Sequence, residues 1–301
     1  MSDFVQQQNS ICDFSNSDSW VILSPIEQSI KRKIEAVGTP LKDWDIQINY
    51  GIKTGFNDAF IISTEKREEI LANCQTEDER KRTAELIRPI LRGRDIKRYG
   101  YVDNGLFLIN THNGIRGKLP RIDINDYPAI KAHLDQYWDR ISIRADKGDT
   151  PYNLRNCAYL EDFNKPKVVY MEIQTDNPEE GYPFPCYSYD DNRCVVLNTA
   201  YIMSSEITDP RYVLGLLNSR LGKFLVKLYV TQLQERQFRM LSQYVMKFPI
   251  ARPSREQEEE MILLVQEVLE HHSSVSEKRI DELAYQIYKL SDNEVKALVS
   301  R

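Results

Sequence analysis

Two short segments of the sequence combine glycine with side chains suited to binding a nucleic acid. In Gly51–Asn57 (GIKTGFN), two glycines bracket Lys53 and Thr54, so the backbone can approach a ligand closely. An ammonium, a hydroxyl and an amide then project from one turn, as in proteins that contact phosphates or base edges. The same spacing is equally typical of an ordinary connection between two hairpin strands. The residue types alone leave both interpretations open.

The second segment, Leu91–Tyr99 (LRGRDIKRY), carries basic side chains on both sides of a glycine and an aspartate. Asp95 is placed to hold one guanidinium in a fixed orientation, and a fixed guanidinium can bind guanine or phosphate through two hydrogen bonds. The alternative is a helix C-terminus, with Gly93 ending a helix that begins near Glu77 and basic residues at its negative end. Both interpretations can hold together. The basic residues concerned are Arg92, Arg94, Lys97 and Arg98.

Enzymatic chemistry has little support in the sequence. A catalytic site needs a nucleophile with a base, a metal cluster or a cofactor-binding loop, and none is present with a recognisable spacing. Glu172 with Asp149 or Asp162 could serve a metal-dependent nuclease, but chance supplies such a triple among 45 acidic residues. The five cysteines include no C-x-x-C pair and have no histidine at ligand spacing. We therefore expect no catalytic residue, metal or cofactor in this chain.

The net charge of −5 conceals an uneven distribution. Between Arg80 and Arg98, eight basic residues face two acidic ones, a local charge of 8 − 2 = +6. Residues 219–247 are also basic, whereas residues 254–301 are acidic. An acidic chain can thus present a basic surface to a polyanion, although charged residues on solvated helices give the same pattern.

The surrounding sequence predicts an α+β fold, a mixed β-sheet with flanking helices. Ser24-Pro25 with Glu27 is typical of a capped helix start, and Leu106–Ile109 is typical of a buried strand. Further helices are expected over 65–73, 77–87 and 127–144, and further strands over 45–50, 59–62 and 167–173 and near Tyr187, Val195 and Tyr201.

The C-terminal third is predicted to be helical. A cap and first-turn proline at Asp209-Pro210 open a long leucine-rich helix, and Ser254 and Ser291 open later helices. We therefore divide the chain into a loose lead-in (1–19), a mixed domain (20–208) and a helical segment packing on it (209–301). No apolar run approaches the ~20 residues of a membrane span, and the polar, acidic start is unlike a signal peptide. We expect a soluble, cytoplasmic protein.

An ordered series of motifs resembles a known family. The series comprises Trp20-x-Ile22-Leu23, Gly51–Phe60, Leu91–Tyr99, Leu154-Arg155, Lys165–Tyr170 and Leu216–Ser219. In this order the motifs resemble the TaqI-like C-terminal specificity domain from about Trp20 to Arg301. That domain is the target-recognition module of adenine-specific DNA methyltransferases and of fused type IIG restriction-modification enzymes.

The resemblance implies recognition of double-stranded DNA without catalysis in this chain. Members of the family carry an S-adenosylmethionine fold with an Asn-Pro-Pro-Tyr motif upstream, and the fused enzymes add a nuclease. Neither motif is present here, so the chain is similar to the C-terminal part of a larger polypeptide. S-adenosylmethionine, Mg²⁺ and the catalytic methyltransferase domain are then expected elsewhere in the parent protein.

The residues expected to contact DNA come from the loops and from one strand. Glu172 and Gln174 would share a strand face by the period of two, which a solvent-facing edge explains equally well. The full set is Lys53, Thr54, Asn57, Arg92, Arg94, Lys97, Arg98, Arg155, Lys167, Glu172, Gln174, Arg236, Gln237 and Arg239.

Two other functions remain open from the sequence. The chain could be the specificity subunit of a multi-subunit restriction or phage-defence methyltransferase system. It could instead be a protein-interaction module that docks a partner through its acidic tail and the leucine-rich helix after Pro210. Salt-dependent binding of duplex DNA would argue against the second alternative.

Overall fold

A computed structural model describes residues 23–177, 179, 183–234 and 236–300. The predicted lead-in, with Trp20 and Ile22, lies outside this range. The predicted α+β class is confirmed. The helices are α1 (Pro25–Val37), α2 (Asn57–Phe60), α3 (Thr64–Ala72), α4 (Glu77–Leu86), α5 (Pro128–Asp135), α6 (Trp138–Ile141), α7 (Pro210–Asn218), α8 (Arg220–Tyr229), α9 (Ser242–Val245), α10 (Arg255–His271), α11 (Ser274–Ile287) and α12 (Asp292–Val299).

The strands are short and antiparallel pairs predominate. They are β1 (Gly38–Pro40), β2 (Gln47–Tyr50), β3 (Ile61–Ser63), β4 (Ile87–Leu91), β5 (Leu106–Ile109), β6 (Lys167–Met171), β7 (Ile173–Thr175), β8 (Tyr187–Asp190), β9 (Val195–Val196), β10 (Ala200–Ser204), β11 (Gln232–Gln234), β12 (Gln237–Arg239) and β13 (Pro249–Ala251).

The chain divides into two compact units that are not continuous in sequence. The first, here called the helical unit, contains the described residues up to Ile46, Ile173–Tyr187 and the chain from Ser205 onward. The second, here called the sheet unit, contains Gln47–Glu172 and Ser188–Ser204. The predicted helical segment 209–301 therefore falls within the helical unit, and its functional separation from residues 20–208 stays a prediction.

Local signals explain the helical unit well. The Ser24 hydroxyl and the Glu27 carboxylate cap each other's backbone amides at the start of α1, as predicted. The long helix expected after Pro210 is instead broken into α7 and α8, because Ser219 adopts an extended conformation and caps α8. Strands β1 and β13 pair in this unit, and β7, β12 and β11 form a three-stranded sheet.

Two sheets form the sheet unit, in the strand orders β2-β10-β6-β8 and β3-β5-β4-β9. Strand β5 spans Leu106–Ile109, as predicted from its apolar run. Strand β10 is buried along its whole length, and the Tyr201 ring stacks on that of its cross-strand partner Tyr170 at 5.3 Å. Strands β4 and β9 form a short parallel pair, so the loops that follow the two strands lie at the same edge of this sheet.

Several predicted elements are wrong in extent. Residues 59–62 are not one strand, because Asn57–Phe60 forms a helical turn before β3 begins. Strands β2 and β3 belong to different sheets, so the intervening glycines do not form a hairpin turn. The helix expected over 127–144 is interrupted at Tyr137, whose ring packs on those of His133 and Phe56.

The predicted strand 167–173 is also divided. Its backbone breaks at Glu172, whose amide donates to the Thr199 carbonyl, and the chain then enters β7 of another sheet. Glu172 and Gln174 therefore do not share a strand face. The helix from Glu77 ends at Leu86, and β4 follows it, so Gly93 does not end that helix as the alternative interpretation required.

Candidate nucleic-acid interface

A single exposed turn brings the two glycine-containing segments together. The Ile52 amide donates to the Val196 carbonyl at 2.8 Å, and the Asn198 amide donates back to Ile52 at 3.1 Å. On its other side, the Leu197 amide donates to the Leu91 carbonyl at 2.9 Å. We call the assembly of Gly51–Asn57, Arg92–Arg98 and Leu197–Thr199 the loop cluster.

Close backbone packing explains Gly51, and backbone conformation explains Gly55. A Cβ atom on Gly51 would lie 2.1 Å from the Leu197 carbonyl oxygen, so only glycine allows this approach. Gly55 has φ +72°, a left-handed conformation that favours glycine. The Gly93 amide donates to the Thr199 hydroxyl at 3.1 Å. Of the two glycines that suggested a close approach to a ligand, Gly51 thus serves close approach within the protein and Gly55 serves a left-handed turn.

Arg144 holds the first loop from inside. Its buried guanidinium donates to the carbonyls of Thr54 and Asp146, to Pro151 at 3.0 Å and to Asn153 at 2.6 Å. The guanidinium also lies 4.5 Å from the centre of the Phe60 ring. Burial lowers the pKa of Arg144 to about 10, against the opposing charge of Asp146.

The candidate side chains of this loop divide by exposure. Thr54 is 2% exposed, and its hydroxyl donates to Oδ1 of Asn57 at 2.5 Å. Asn57 is exposed and Lys53 is half-buried. Nearby, the exposed Arg155 guanidinium pairs with Asp146 at 3.1 Å. The prediction that Lys53, Thr54 and Asn57 project together is therefore wrong for Thr54, because its side chain is packed inside.

Asp95 does hold a guanidinium, as predicted, and that guanidinium belongs to Arg92. Its carboxylate accepts from Nε and Nη2 of Arg92, both at 2.9 Å, and from the Arg92 amide at 2.8 Å. Asn104 donates to it as well, at 2.9 Å. Burial acts to raise the pKa of Asp95, but the hydrogen bonds and charge of Arg92, helped by Arg94, lower it below its usual value.

Arg94, Lys97 and Arg98 present the remaining basic groups of this segment. Arg94 is exposed, and its guanidinium has no hydrogen-bond partner among the described residues. The exposed Lys97 donates its ammonium to the Arg94 carbonyl at 2.9 Å. Arg98 lies 5.0 Å from the Tyr99 ring at the tip of a tight turn, where buried Tyr99 has φ +68°.

The turn at the centre of the loop cluster was not among the predicted sites. Asn198 and Thr199 are exposed, and half-buried Glu172 lies beside them through its bond to the Thr199 carbonyl. A polar pair interrupting the apolar residues from Val195 to Ile202 was the available signal. These side chains extend the polar surface of the cluster between its two basic loops.

A second candidate surface lies in the helical unit. Strands β11 and β12 form a hairpin in which Gln232, Leu233 and Gln234 are all exposed. Arg236 is exposed at its turn with φ +65° and donates to Oδ1 of Asn177 at 3.2 Å. Gln237 is half-buried and Arg239 is exposed. The two glutamines of β11 were not predicted, although their alternation in Gln-x-Gln was readable.

Two of the predicted DNA contacts have their polar groups committed inside the protein. Lys167 is 0% exposed, and its ammonium bonds Asp190 and, at 2.9 Å, the Phe163 carbonyl. Gln174 is 2% exposed, and its amide exchanges hydrogen bonds of 3.0 and 2.8 Å with the Cys186 backbone. As placed, neither side chain can reach a ligand, because burial and these bonds fix them.

Metal clusters and membrane-spanning helices are both absent from the part of the chain that the structure describes. Within it, no group of three or more histidine, cysteine, aspartate or glutamate residues is arranged to hold a metal ion. No described helix is long and apolar enough to cross a membrane.

Comparison with known proteins identifies the family. Residues 88–250, more than half of the chain, match the TaqI-like C-terminal specificity domain. The chain belongs to this family. The matched range of the specificity domain contains the basic Arg92–Arg98 loop, the Leu197–Thr199 turn and the β11–β12 hairpin. The resemblance expected from the motif series is thereby confirmed.

A solved structure shares the fold of this specificity domain, and a second matches it less well. The type IIL restriction-modification enzyme MmeI, solved in complex with DNA, matches 87% of the chain with a TM-score of 0.58 and 12% sequence identity. The type IIG restriction endonuclease BpuSI matches 88% of the chain with a TM-score of 0.47 and 11% identity. The chain spans 37% of the length of the MmeI chain and 33% of the length of the BpuSI chain.

Proposed function

We propose that this specificity domain recognises a DNA sequence on behalf of a type II restriction-modification enzyme or adenine-N6 DNA methyltransferase. The family match carries the proposal, because its matched range includes most of the basic and amide side chains of both candidate surfaces. The fold shared with an enzyme solved on DNA supports it further.

The physical chemistry of the loop cluster fits duplex DNA. The guanidinium of Arg92 is held by a buried carboxylate, and Arg94 and Lys97 are exposed beside it. Guanidinium groups bind guanine or phosphate, while amides such as those of Asn57 and Asn198 bind base edges or backbone oxygens. The cluster can thus supply both positioning and sequence-reading contacts.

Catalysis belongs elsewhere in this proposal. The specificity domain would bind neither S-adenosylmethionine nor catalytic Mg²⁺, which would occupy a methyltransferase domain and any nuclease domain of the parent protein. The purified chain should then neither methylate nor cleave DNA. Stoichiometric binding of S-adenosylmethionine in calorimetry, or methyl transfer by the purified chain, would contradict this assignment.

Binding to DNA is tested directly with a labelled 40-base-pair duplex carrying a randomised central block. We expect binding at low salt that weakens steeply, with a log-log slope near −4 to −5 if about four to six phosphates are neutralised. Repeated selection and sequencing of the bound fraction should then enrich a short motif.

Three results would contradict the proposal or a part of it. Absence of binding at low salt would remove the DNA-recognition function, and binding that does not respond to salt would remove its phosphate contacts. Binding without enrichment of any motif would leave a DNA-binding protein and overturn the sequence-recognition role. Arg80, exposed on α4 outside the loop cluster, gives a matched control, since Arg80→Ala should weaken binding slightly and leave the enriched motif unchanged.

A further inference from the structure

Thr54 connects the buried frame of the loop cluster to its surface. Its carbonyl accepts from the Arg144 guanidinium, and its hydroxyl donates to Oδ1 of Asn57 at 2.5 Å. With 2% of its surface exposed, Thr54 cannot contact a ligand itself. Whatever this residue contributes to binding must act through Asn57, the exposed residue that its hydroxyl touches.

The hydrogen bond from Thr54 determines which end of the Asn57 amide faces outward. A carboxamide carries an oxygen that accepts and a nitrogen that donates two hydrogen bonds. Because the oxygen is turned toward buried Thr54, the nitrogen is left on the side of the amide away from that contact. The exposed Asn57 side chain therefore presents a hydrogen-bond donor.

Several buried hydrogen bonds hold the frame behind this contact. Arg144 binds three further carbonyls besides that of Thr54, so its guanidinium joins the 51–57 loop to residues 146–153. Immediately after Asn57, the Ala59 carbonyl is bonded by Nε2 of buried His133 at 3.0 Å. Side chains held before binding lose less conformational freedom when a ligand arrives.

We propose that Thr54 is a positioning residue that fixes the Asn57 amide so that its nitrogen donates to an acceptor on duplex DNA. This inference rests on the proposed function and names one contact within it. The acceptor is a phosphate oxygen or a base acceptor such as guanine O6 and N7 or thymine O4, since all of them take an N–H donor.

Matched substitutions separate the hydroxyl of Thr54 from its volume. Thr54→Val removes the hydroxyl and keeps the shape of the buried side chain, whereas Thr54→Ser keeps the hydroxyl. We expect Thr54→Val and Asn57→Ala each to weaken binding of the randomised duplex pool about fivefold, the effect of one hydrogen bond. The affinity of Thr54→Ser should stay within about twofold of that of the unmodified chain. The Thr54→Val, Asn57→Ala double variant should bind no more weakly than Asn57→Ala.

Asn57→Asp provides a second test that does not depend on the packing of a buried residue. The aspartate keeps the size of the side chain and replaces the donor by a second acceptor, next to phosphates that repel it. It should weaken binding more than Asn57→Ala does. Thermal unfolding of each variant confirms that the protein measured is folded.

Whether the acceptor is a phosphate or a base follows from how the loss of affinity is distributed over different DNA sequences. A phosphate contact predicts that Asn57→Ala lowers affinity equally for all sequences, whereas a base contact predicts a changed preference at one position of the enriched motif. Either distribution supports the inference.

Three results would overturn it. Parent-like binding by folded Thr54→Val, when Asn57→Ala binds weakly, would show that Thr54 does not position the amide. Parent-like binding by Asn57→Ala and Asn57→Asp would remove the contact and leave the proposed function intact. Failure of the unmodified chain to bind DNA would remove both.

Discussion

The loop cluster and the β11–β12 hairpin present similar polar side chains on very different supports. In the loop cluster, Arg92 is held by a buried carboxylate and the first loop is tied down through Arg144. In the hairpin, all three residues of β11 are exposed, and Leu233 is 46% exposed. Among the described residues, the β11 strand pairs with β12 alone.

This difference suggests a division of roles within the proposed function. A side chain that is already fixed in the free protein loses little conformational entropy on binding. Such side chains suit contacts that have the same geometry in every DNA complex. The hairpin forms one edge of the three-stranded β11-β12-β7 sheet, and the exposed glutamines of β11 can bind adenine edges in the major groove. We therefore expect changes in the hairpin to alter sequence preference with little effect on folding, and changes in the frame of the loop cluster to affect folding first.

The largest effect should follow removal of the Arg144 frame. Arg144→Met leaves the carbonyls of Thr54, Asp146 and Pro151 without their donor, and we expect unfolding in urea to require about 3 kcal/mol less free energy. Arg144→Lys retains a donor and should lose less. Equal stability of the parent and Arg144→Met would show that the first loop is held by other contacts and would remove this half of the comparison.

Asp95 should come next. Asp95→Ala removes the acceptor of the Arg92 guanidinium and amide and of Asn104, and about 2 kcal/mol of stability should be lost. Arg94→Ala is the matched control, since its exposed guanidinium has no hydrogen-bond partner among the described residues. If Arg94→Ala destabilises the fold as much as Asp95→Ala, then Arg92 is not the guanidinium that Asp95 holds.

The same carboxylate gives a pH dependence of stability. The pKa of Asp95 is lower in the folded state than in the unfolded chain, where it is about 4. Its contribution is therefore fully present above pH 4 and is lost as the pH falls through the lower, folded pKa. Urea denaturation between pH 3 and pH 6 should show a smaller acid-induced loss for Asp95→Asn than for the parent, and identical pH dependence of the two would contradict the assignment.

Features that depend only on residues close together in the sequence were predicted correctly. The capping box of Ser24 and Glu27 lies within four residues, and β5 was visible as one apolar run. That Asp95 holds one guanidinium was also predicted, and the single turn over Gly93–Asp95 determines that it is the guanidinium of Arg92, three residues earlier.

The predictions were wrong where contacts with residues far away in the sequence determine the structure. Gly51 packs under Leu197, about 146 positions later, and no spacing within Gly51–Asn57 indicates that contact. Lys167 and Gln174 had the residue types of DNA contacts, but Asp190 and the Cys186 backbone bind them inside the fold. The division of strand 167–173 depends equally on Thr199, which pairs with Glu172 from another part of the chain.

Loss of the Arg94 side chain should affect recognition of the DNA sequence more than it affects folding. We expect Arg94→Ala to change the free energy of unfolding by less than about 0.5 kcal/mol, as for an exposed residue. Its affinity for the enriched duplex should fall by about 1–2 kcal/mol if the guanidinium binds a guanine edge. Competition binding with single-base variants of the motif separates this from a phosphate contact, which would lower affinity for all variants alike.

The smallest effect on folding should come from the hairpin, where the comparison between the two surfaces is sharpest. Gln234 is exposed on β11, so Gln234→Ala should leave thermal and urea unfolding within about 0.5 kcal/mol of the parent. If β11 contacts base edges in the major groove, the loss of this amide should relax the enriched motif at one base pair, because an asparagine or glutamine amide distinguishes adenine from other bases. Selection from the randomised duplex pool, run in parallel on Gln234→Ala and Gln243→Ala, measures this, since Gln243 is an exposed glutamine on α9 outside the hairpin. An unchanged motif for Gln234→Ala would leave the loop cluster as the sequence-reading surface and end the proposed division of roles.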